Sequence, residues 1–260
     1  MMRTLRELWR YRELLFSLVT RDVKVRYKQT VLGVAWSIIQ PLSMMLVFTF
    51  VFSRVAKVPT DGLPYPVFSY CALVPWTLFV SSLSFATPSL AVNSDLVRKI
   101  YFPREIFPMA AVCACFVDFL VASLLFVGMI AFYHIPVTAS VLWVAPLLAI
   151  QLLLTIGIAL LASGSNVYFR DVKYIVPLGL QLLLFLTPVI YTSSAIPEAF
   201  RWLYQLNPMA GIIEGYRSVV LHGTAPDLQA VGMAAVISIV LFFGSYAAFK
   251  RMERSFADVI

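Results

Sequence analysis

Residues 21–52 read RDVKVRYKQTVLGVAWSIIQPLSMMLVFTFVF. The first ten positions carry five charges (Arg21, Asp22, Lys24, Arg26, Lys28), and the next twenty-two carry none. As a helix, about 22 residues rise roughly 33 Å, enough to cross a hydrocarbon core about 30 Å thick. A basic island placed directly before such a run reads as a membrane helix anchored at its charged end. The tetrapeptide RDVK returns at Arg170–Lys173, again before an apolar run. The likeness stops after a few residues, so the pair reads as two markers of the same boundary rather than an internal repeat. An adjacent Arg-Asp does not share a helix face, so each side chain is expected to find its partner elsewhere.

Composition extends this reading to the whole chain. Of 260 residues, 61% are hydrophobic and 13% charged, with a mean hydropathy of +0.87. A soluble domain carries about 25% charged residues, so a water-facing surface and a large soluble domain are both excluded. The N-terminal MMRTLRELWRYRELLF interleaves Arg and Glu with apolar residues, unlike the unbroken apolar core of a cleavable signal. Cys71, Cys113 and Cys115 lie in apolar runs without a CxxC pair and read as small buried residues. His134 and His222 are isolated and suggest no metal site.

Hydropathy predicts six spans, near 31–52, 67–90, 107–132, 141–161, 174–191 and 230–249. Residues 1–30 instead form an amphipathic pattern, with Leu5, Leu8, Trp9, Leu15, Phe16, Val19 and Val23 close to one stripe. That segment is expected to rest in the interface plane. Sixteen of the twenty Lys and Arg fall on the side holding both termini and the 91–106 and 162–173 loops. The positive-inside rule then places both termini in the cytoplasm. The stretch SSAIPEAFRWLYQLNPMAGIIEGYRSVVLHG (193–223) has two helix-like pieces, one opened by Pro197 and one by an Asn207 cap with Pro208 behind it. Both carry charges, so residues 193–222 are expected to dip back into the outer leaflet, which requires packing on protein or a wet cavity. The fold class is therefore an all-α membrane protein of one transmembrane domain over 1–260. It comprises a six-helix bundle over 31–260, an N-terminal interface helix over 1–30, and re-entrant outer helices between spans five and six.

Chemistry-bearing patterns are sparse. The phosphate loop GxxxxGK[ST] is absent, as are HExxH, GxSxG and His/Cys clusters. Any work done with ATP needs another chain. Asp118, in CFVDFLVASLL, is the one acid near the middle of a span, which marks a function or a paired polar contact. An interhelical hydrogen bond is favoured over proton coupling, since no His, Glu or Lys accompanies it at that depth. Aromatics crowd the outer ends of spans: Phe48, Phe50, Phe52, Trp76, Phe79, Tyr191, Trp202 and Tyr204, with Phe85 and Phe185 elsewhere. They fit a headgroup belt and equally a passage whose ring faces stack on sugars. The loop NSDLVRKIYFPREIFP pairs Asp95 with Arg98 and Lys99 at i+3 and i+4, supporting a short helix. Pro103, with Arg104 and Glu105, could open another. Such a charged helix is a handle for a cytosolic partner.

Five segments occur together and in order: RDVKVRYKQTVLGVAWSIIQPL, NSDLVRKIYFPREIFPMAAV, VDFL, NVYFRDVKYIVPLGLQLLLFLTPVIY and LNPM. In this the chain resembles the membrane subunits of ATP-binding-cassette polysaccharide exporters, most closely O-antigen permeases, from about residue 20 onward. The resemblance implies a homodimer in the bacterial inner membrane with two copies of a separate ATPase. It implies a passage along the dimer interface for a polymer on an undecaprenyl-pyrophosphate carrier. ATP and Mg²⁺ would belong to the ATPase, leaving this chain without a cofactor or a catalytic residue; no nucleic acid is involved.

ATPase contact carries over to residues 5–28 and 94–105, with Arg21, Asp22, Lys24, Asp95, Arg98, Lys99, Arg104 and Glu105 as candidates. Arg26, Lys28, Arg98 and Arg170 are candidates for the carrier's pyrophosphate, because guanidinium forks suit phosphate. Phe48, Phe52, Trp76, Phe79, Tyr191, Trp202 and Tyr204 are candidates for the passage and its exit. A related permease for a capsular polysaccharide, teichoic acid, drug or lipid would share these spans. A membrane-embedded enzyme acting on lipid-linked sugars would need clustered acids, and none is visible.

Overall fold

A computed structural model describes residues 10–28, 30, 32–55, 62–99, 102–192 and 204–256. Among them every regular element is helical. In chain order these are α1 (Arg12–Tyr27), α2 (Trp36–Phe48), α3 (Tyr65–Ala86), α4 (Ser89–Val92) and α5 (Ser94–Lys99). Then follow α6 (Ile106–Phe132), α7 (Val144–Tyr168), α8 (Val172–Leu186), α9 (Pro208–Val220) and α10 (Leu228–Met252). Helix α2 begins behind a 3₁₀ turn at Gly33–Ala35 and runs on as a π-helix over Thr49–Val55.

Among the described residues, five helices are long and apolar enough to cross a membrane: Gly33–Ser53, Tyr65–Ala86, Ile106–Phe132, Ala139–Tyr168 and Leu228–Ser255. The fifth expected span appears as α8, only 15 residues long. Thr187 breaks that helix in an extended conformation just before Pro188, as the residue preceding a proline is prone to do.

The bundle is organised around α3, of whose apolar window 78% is buried. It packs on α2, α6, α7 and α9. The α6, α7 and α10 helices have 27, 25 and 25 residues, more than a bilayer core requires. Two cores result. The larger joins α3, α6, α7, α9 and α10 through residues such as Tyr70, Leu73, Ala111, Leu147, Ile212 and Val231. The smaller sits at the end of the bundle where both described termini lie. There Leu18 of α1, Leu90, Val97, the first turns of α6, the last turns of α7 and Phe249 and Phe256 meet. That end is called the terminal end below.

With lipid as apolar as leucine, helices associate by close packing rather than by hydrophobicity. The α7–α10 contact illustrates this: a Cβ placed on Gly157 would lie 2.8 Å from Phe242 Cα. The same holds at Gly211 of α9, where a Cβ would come within 2.8 Å of the Ala230 carbonyl oxygen. Helix α9 starts as its sequence suggests, with Asn207 Oδ1 accepting from Met209 N at 3.1 Å and Pro208 behind it. It packs on α3, α7 and α10, burying Met209, Ala210, Ile212, Ile213, Tyr216 and Arg217. The first piece of the expected re-entrant segment, opened by Pro197, lies outside the described residues, as do Leu5, Leu8, Trp9 and Trp202.

Helix α1 differs from its expected stripe. Tyr11, Leu14, Leu15, Leu18 and Val19 face the smaller core, while Phe16 is 73% exposed. The cause is its partner: α1 packs along α6, so its apolar face is chosen by a protein surface rather than by a water–lipid boundary.

Candidate functional site: the ion-paired end of the bundle

Three polar clusters fix how the terminal end is assembled. In the first, Arg26 Nη1 donates to Asp118 Oδ2 at 2.8 Å, and Tyr27 Oη donates to Asp118 Oδ1 at 2.5 Å. The Arg26 guanidinium also lies 3.9 Å from the ring centre of Phe85. Burial first, and Asp118 second, push the Tyr27 phenol above its ordinary pKa. Asp118 is therefore a paired contact between α1 and α6. It stands midway along α6, and the long arm of Arg26 reaches it from α1 past the Phe85 ring.

In the second cluster, Arg21 Nη1 donates to Asn93 Oδ1 at 2.9 Å, tying α1 to the turn between α4 and α5. Arg21 also pairs with its own neighbour, Asp22, at 2.9 Å. The expectation that the two would look elsewhere holds only for the Asn93 bond. The guanidinium arm is long enough to fold back one residue.

The third cluster joins the 91–106 loop to the end of α10. Lys250 Nζ donates to Glu105 Oε2 and to Glu253 Oε2, both at 2.8 Å. The Arg104 amide donates to Glu253 Oε1 at 3.2 Å, and its guanidinium to the Glu253 carbonyl. Glu105 is 1% exposed, and Lys250 is its ion partner there. Removing the lysine as Lys250→Met strands that carboxylate and is expected to cost about 1–3 kcal/mol. Thermal unfolding of the detergent-purified protein measures the loss, and Glu105→Gln in the same chain should recover most of it.

The opposite end of the bundle is closed by a buried arginine. Arg217 of α9, 2% exposed, donates from Nη2 to the Val189 carbonyl at 2.9 Å and from Nη1 to the Tyr191 carbonyl at 3.1 Å. Its charge is met by Glu214 at 3.3 Å and by the Phe68 ring, 3.8 Å from the guanidinium carbon. Tyr65 Oη donates to the Ile190 carbonyl between those two, at 2.8 Å. Three successive carbonyls after α8 are thus held by side chains of α3 and α9.

The expected site residues divide accordingly. Lys24, Lys28, Asp95, Arg98 and Arg170 are exposed. Lys99 ends α5. Arg104 and Glu105 are committed to α10 and Glu105 is buried, so their contacts lie inside the subunit. Arg26 is committed to Asp118. Phe48 and Phe52 form an aromatic run with Tyr65 and Phe68 along the outer ends of α2 and α3. Trp76 and Phe79, at 6% and 2% exposed, pack in the larger core of the subunit. Tyr191 donates to the Phe185 carbonyl at 3.0 Å. Tyr204 is half-buried, with burial first and Glu214 second pushing its phenol upward.

The sequence reading passed over Tyr27, Asn93, Lys250, Glu253 and the inward role of Arg217. The i,i+3 spacings Glu214–Arg217 and Lys250–Glu253 were available as signals. Nothing in the sequence pointed to Tyr27 or Asn93. No group of three or more His, Cys, Asp or Glu able to hold a metal occurs among the described residues.

Known proteins with the same arrangement of segments are membrane permeases. Over 249 residues the chain is 31% identical to the O-antigen export system permease protein RfbA of Klebsiella pneumoniae, covering 95% of each. It is 32% identical over 265 residues to the protein of that name from Myxococcus xanthus, covering the whole of both. To the polysialic acid transport protein KpsM of Escherichia coli it is 22% identical over 247 residues, covering 92% of this chain and 93% of that one. Residues 13–221 match the family model described as ABC-2 type transporter, a stretch running from the first turn of α1 to just past the end of α9. With its bundle of apolar helices and full-length kinship to export permeases, the chain belongs to the ABC-2 type transporter family.

Proposed function

We propose that the chain is the permease of an ATP-driven exporter that carries a lipid-linked polysaccharide of the O-antigen kind across the bacterial inner membrane. Two copies would pair with two copies of a separate ATPase, which binds ATP and Mg²⁺. The observation that carries this reading is the 31–32% identity to two O-antigen export permeases over 95% or more of the chain. The capsular alternative rests on a weaker 22%. Sixteen of the twenty basic residues fall on the termini and the 91–106 and 162–173 loops, the side this reading assigns to the cytoplasm.

In this reading the ATPase docks against α1 and the α4–α5 turn, with Arg21, Asp22, Lys24, Asp95, Arg98 and Lys99 nearest to it. Arg104 and Glu105 act one layer behind, passing movement to α10 through Lys250. Lys28, Arg98 and Arg170 offer charge to the carrier's pyrophosphate. The passage and its exit draw on Phe48, Phe52, Tyr191, Trp202 and Tyr204, with Trp76 and Phe79 supporting its wall from within. Helix α8 supplies the fifth of the six spans, and residues 193–222 re-enter the outer leaflet.

Deleting the gene should leave polymer synthesis intact and trap lipid-linked glycan at the inner face. Unchanged surface polymer in the deletion strain would rule the reading out. Charge reversal of Arg21 and Lys24, or of Arg170 and Lys173, should abolish export while ATP hydrolysis by the co-purified ATPase continues. Normal export from both reversals would reduce these islands to topology signals.

A further inference from the structure

A cleft of about 260 Å³ opens between α1, α2, α3 and α6. Its floor is the Arg26–Asp118 pair with Tyr27 beside it. Trp36, in the first turn of α2, and Phe85, in the last turn of α3, also line it, and each is 48% exposed. One helix starts and the other ends there, so the mouth of the cleft lies at the terminal end of the spans, near the depth of lipid phosphates, and the cleft reaches inward along α3 to Val74.

The wall carries polar groups with nothing to bind. Gln40, Thr77 and Ser81 all line the cleft, and none of their side chains hydrogen-bonds to another described residue. Thr77 and Ser81 are one helical turn apart, so both point the same way from α3. An apolar ligand would leave these three groups without a partner, at a cost of about 1–3 kcal/mol for each that it shields from water, while Arg26 and Tyr27 keep Asp118. An anion with several acceptor oxygens satisfies them together.

Resting on the carrier reading above, we propose that this cleft binds the phosphate or pyrophosphate head of a membrane lipid, which takes Arg26 over from Asp118. In the structure Asp118 occupies the place of that anion: its carboxylate neutralises Arg26 and holds α1 on α6. An incoming phosphate presents more oxygens to the guanidinium fork than one carboxylate oxygen does. Asp118 keeps its hydrogen bond from Tyr27 and loses its ion pair, so the α1–α6 contact loosens when the site fills. The pair is thus a lock opened by the ligand, which links headgroup capture to movement of α1.

The test is equilibrium binding of radiolabelled undecaprenyl pyrophosphate to the full chain in phosphatidylcholine nanodiscs. Asp118→Asn removes the internal competitor and should tighten binding about tenfold, whereas Arg26→Gln should weaken it by at least about tenfold. Thr77→Ala with Ser81→Ala leaves the ion pair intact and should weaken binding about threefold to tenfold. Undecaprenol, which lacks phosphate, should not compete. Effective competition by phosphatidylglycerol assigns the cleft to bulk phospholipid, and failure to compete assigns it to the polyprenyl carrier. Equal binding of undecaprenol, or an Asp118→Asn affinity no tighter than the parent's, overturns the proposal. If Asp118→Asn fails to fold, an unchanged affinity in the Thr77/Ser81 double variant overturns it instead. Loss of export in the deletion test bears on the transport reading alone, because headgroup binding is measured without glycan or ATPase.

Discussion

Arg217→Met is expected to destabilise the protein by about 3–5 kcal/mol, because it removes a buried cation and leaves its acceptors unpaired. Arg217 is 2% exposed and holds two carbonyls, at Val189 and Tyr191, that have no water to turn to. Glu214 would lose its ion partner as well. The segment after α8 would then be attached by Tyr65 alone among the bonds that reach it from α3 and α9. Arg217→Lys should recover little, since one ammonium cannot serve two separated carbonyls and also lie flat on Phe68. The measurement is thermal unfolding in detergent, together with the amount of protein recovered from membranes. A lysine variant as stable as the parent would show that charge alone, without the fork, is what the site needs.

The second large effect is steric. A Cβ on Gly157 would meet Phe242 Cα at 2.8 Å and its amide nitrogen at 3.2 Å, both backbone atoms that cannot step aside. Gly157→Ala should therefore push α7 off α10, at a cost of about 2–4 kcal/mol by analogy with overpacked cores. Gly164, two turns further along the same helix, is the control. Its added Cβ would also come close, at 2.7 Å, but to the terminal methyl of Met252, which can rotate away. Unfolding of the two alanine variants side by side should give a large shift for position 157 and a small one for 164. Equal shifts would mean that helix propensity gained from alanine, and not the backbone approach, governs this interface.

Much of the architecture is legible in the chain because apolar runs and charged breaks are long-range patterns. The spans beginning near residues 31, 67 and 107, the basic bias of one end, and the Asn207–Pro208 helix start all follow from it. What is not legible is which side of each helix meets protein. In water an apolar stripe marks the buried face, but in lipid both faces can be apolar. Phe16, placed on a stripe expected to rest in the interface plane, lies 73% exposed while its neighbours turn onto protein, and Trp76 and Phe79, candidates for the passage, are buried in the subunit. Polar partners were hidden for another reason. Asp118 finds Arg26 across 92 positions of sequence, and Glu105 finds Lys250 across 145. Spacing rules reach only three or four residues.

The two stacked cores also divide the molecule into parts that can open separately. Among the described residues, thirty buried side chains make the larger and eleven the smaller. Helices α1, α4 and α5 contribute buried residues to the smaller one only, whereas α6, α7 and α10 run through both. Opening free energy grows with the apolar surface that must be uncovered. The short helices at the terminal end can thus come loose as one cooperative unit while α3 and α9 stay folded. The subunit is a stiff bundle with a handle that opens at lower cost, and basic side chains such as Arg21, Lys24 and Arg98 lie on that handle.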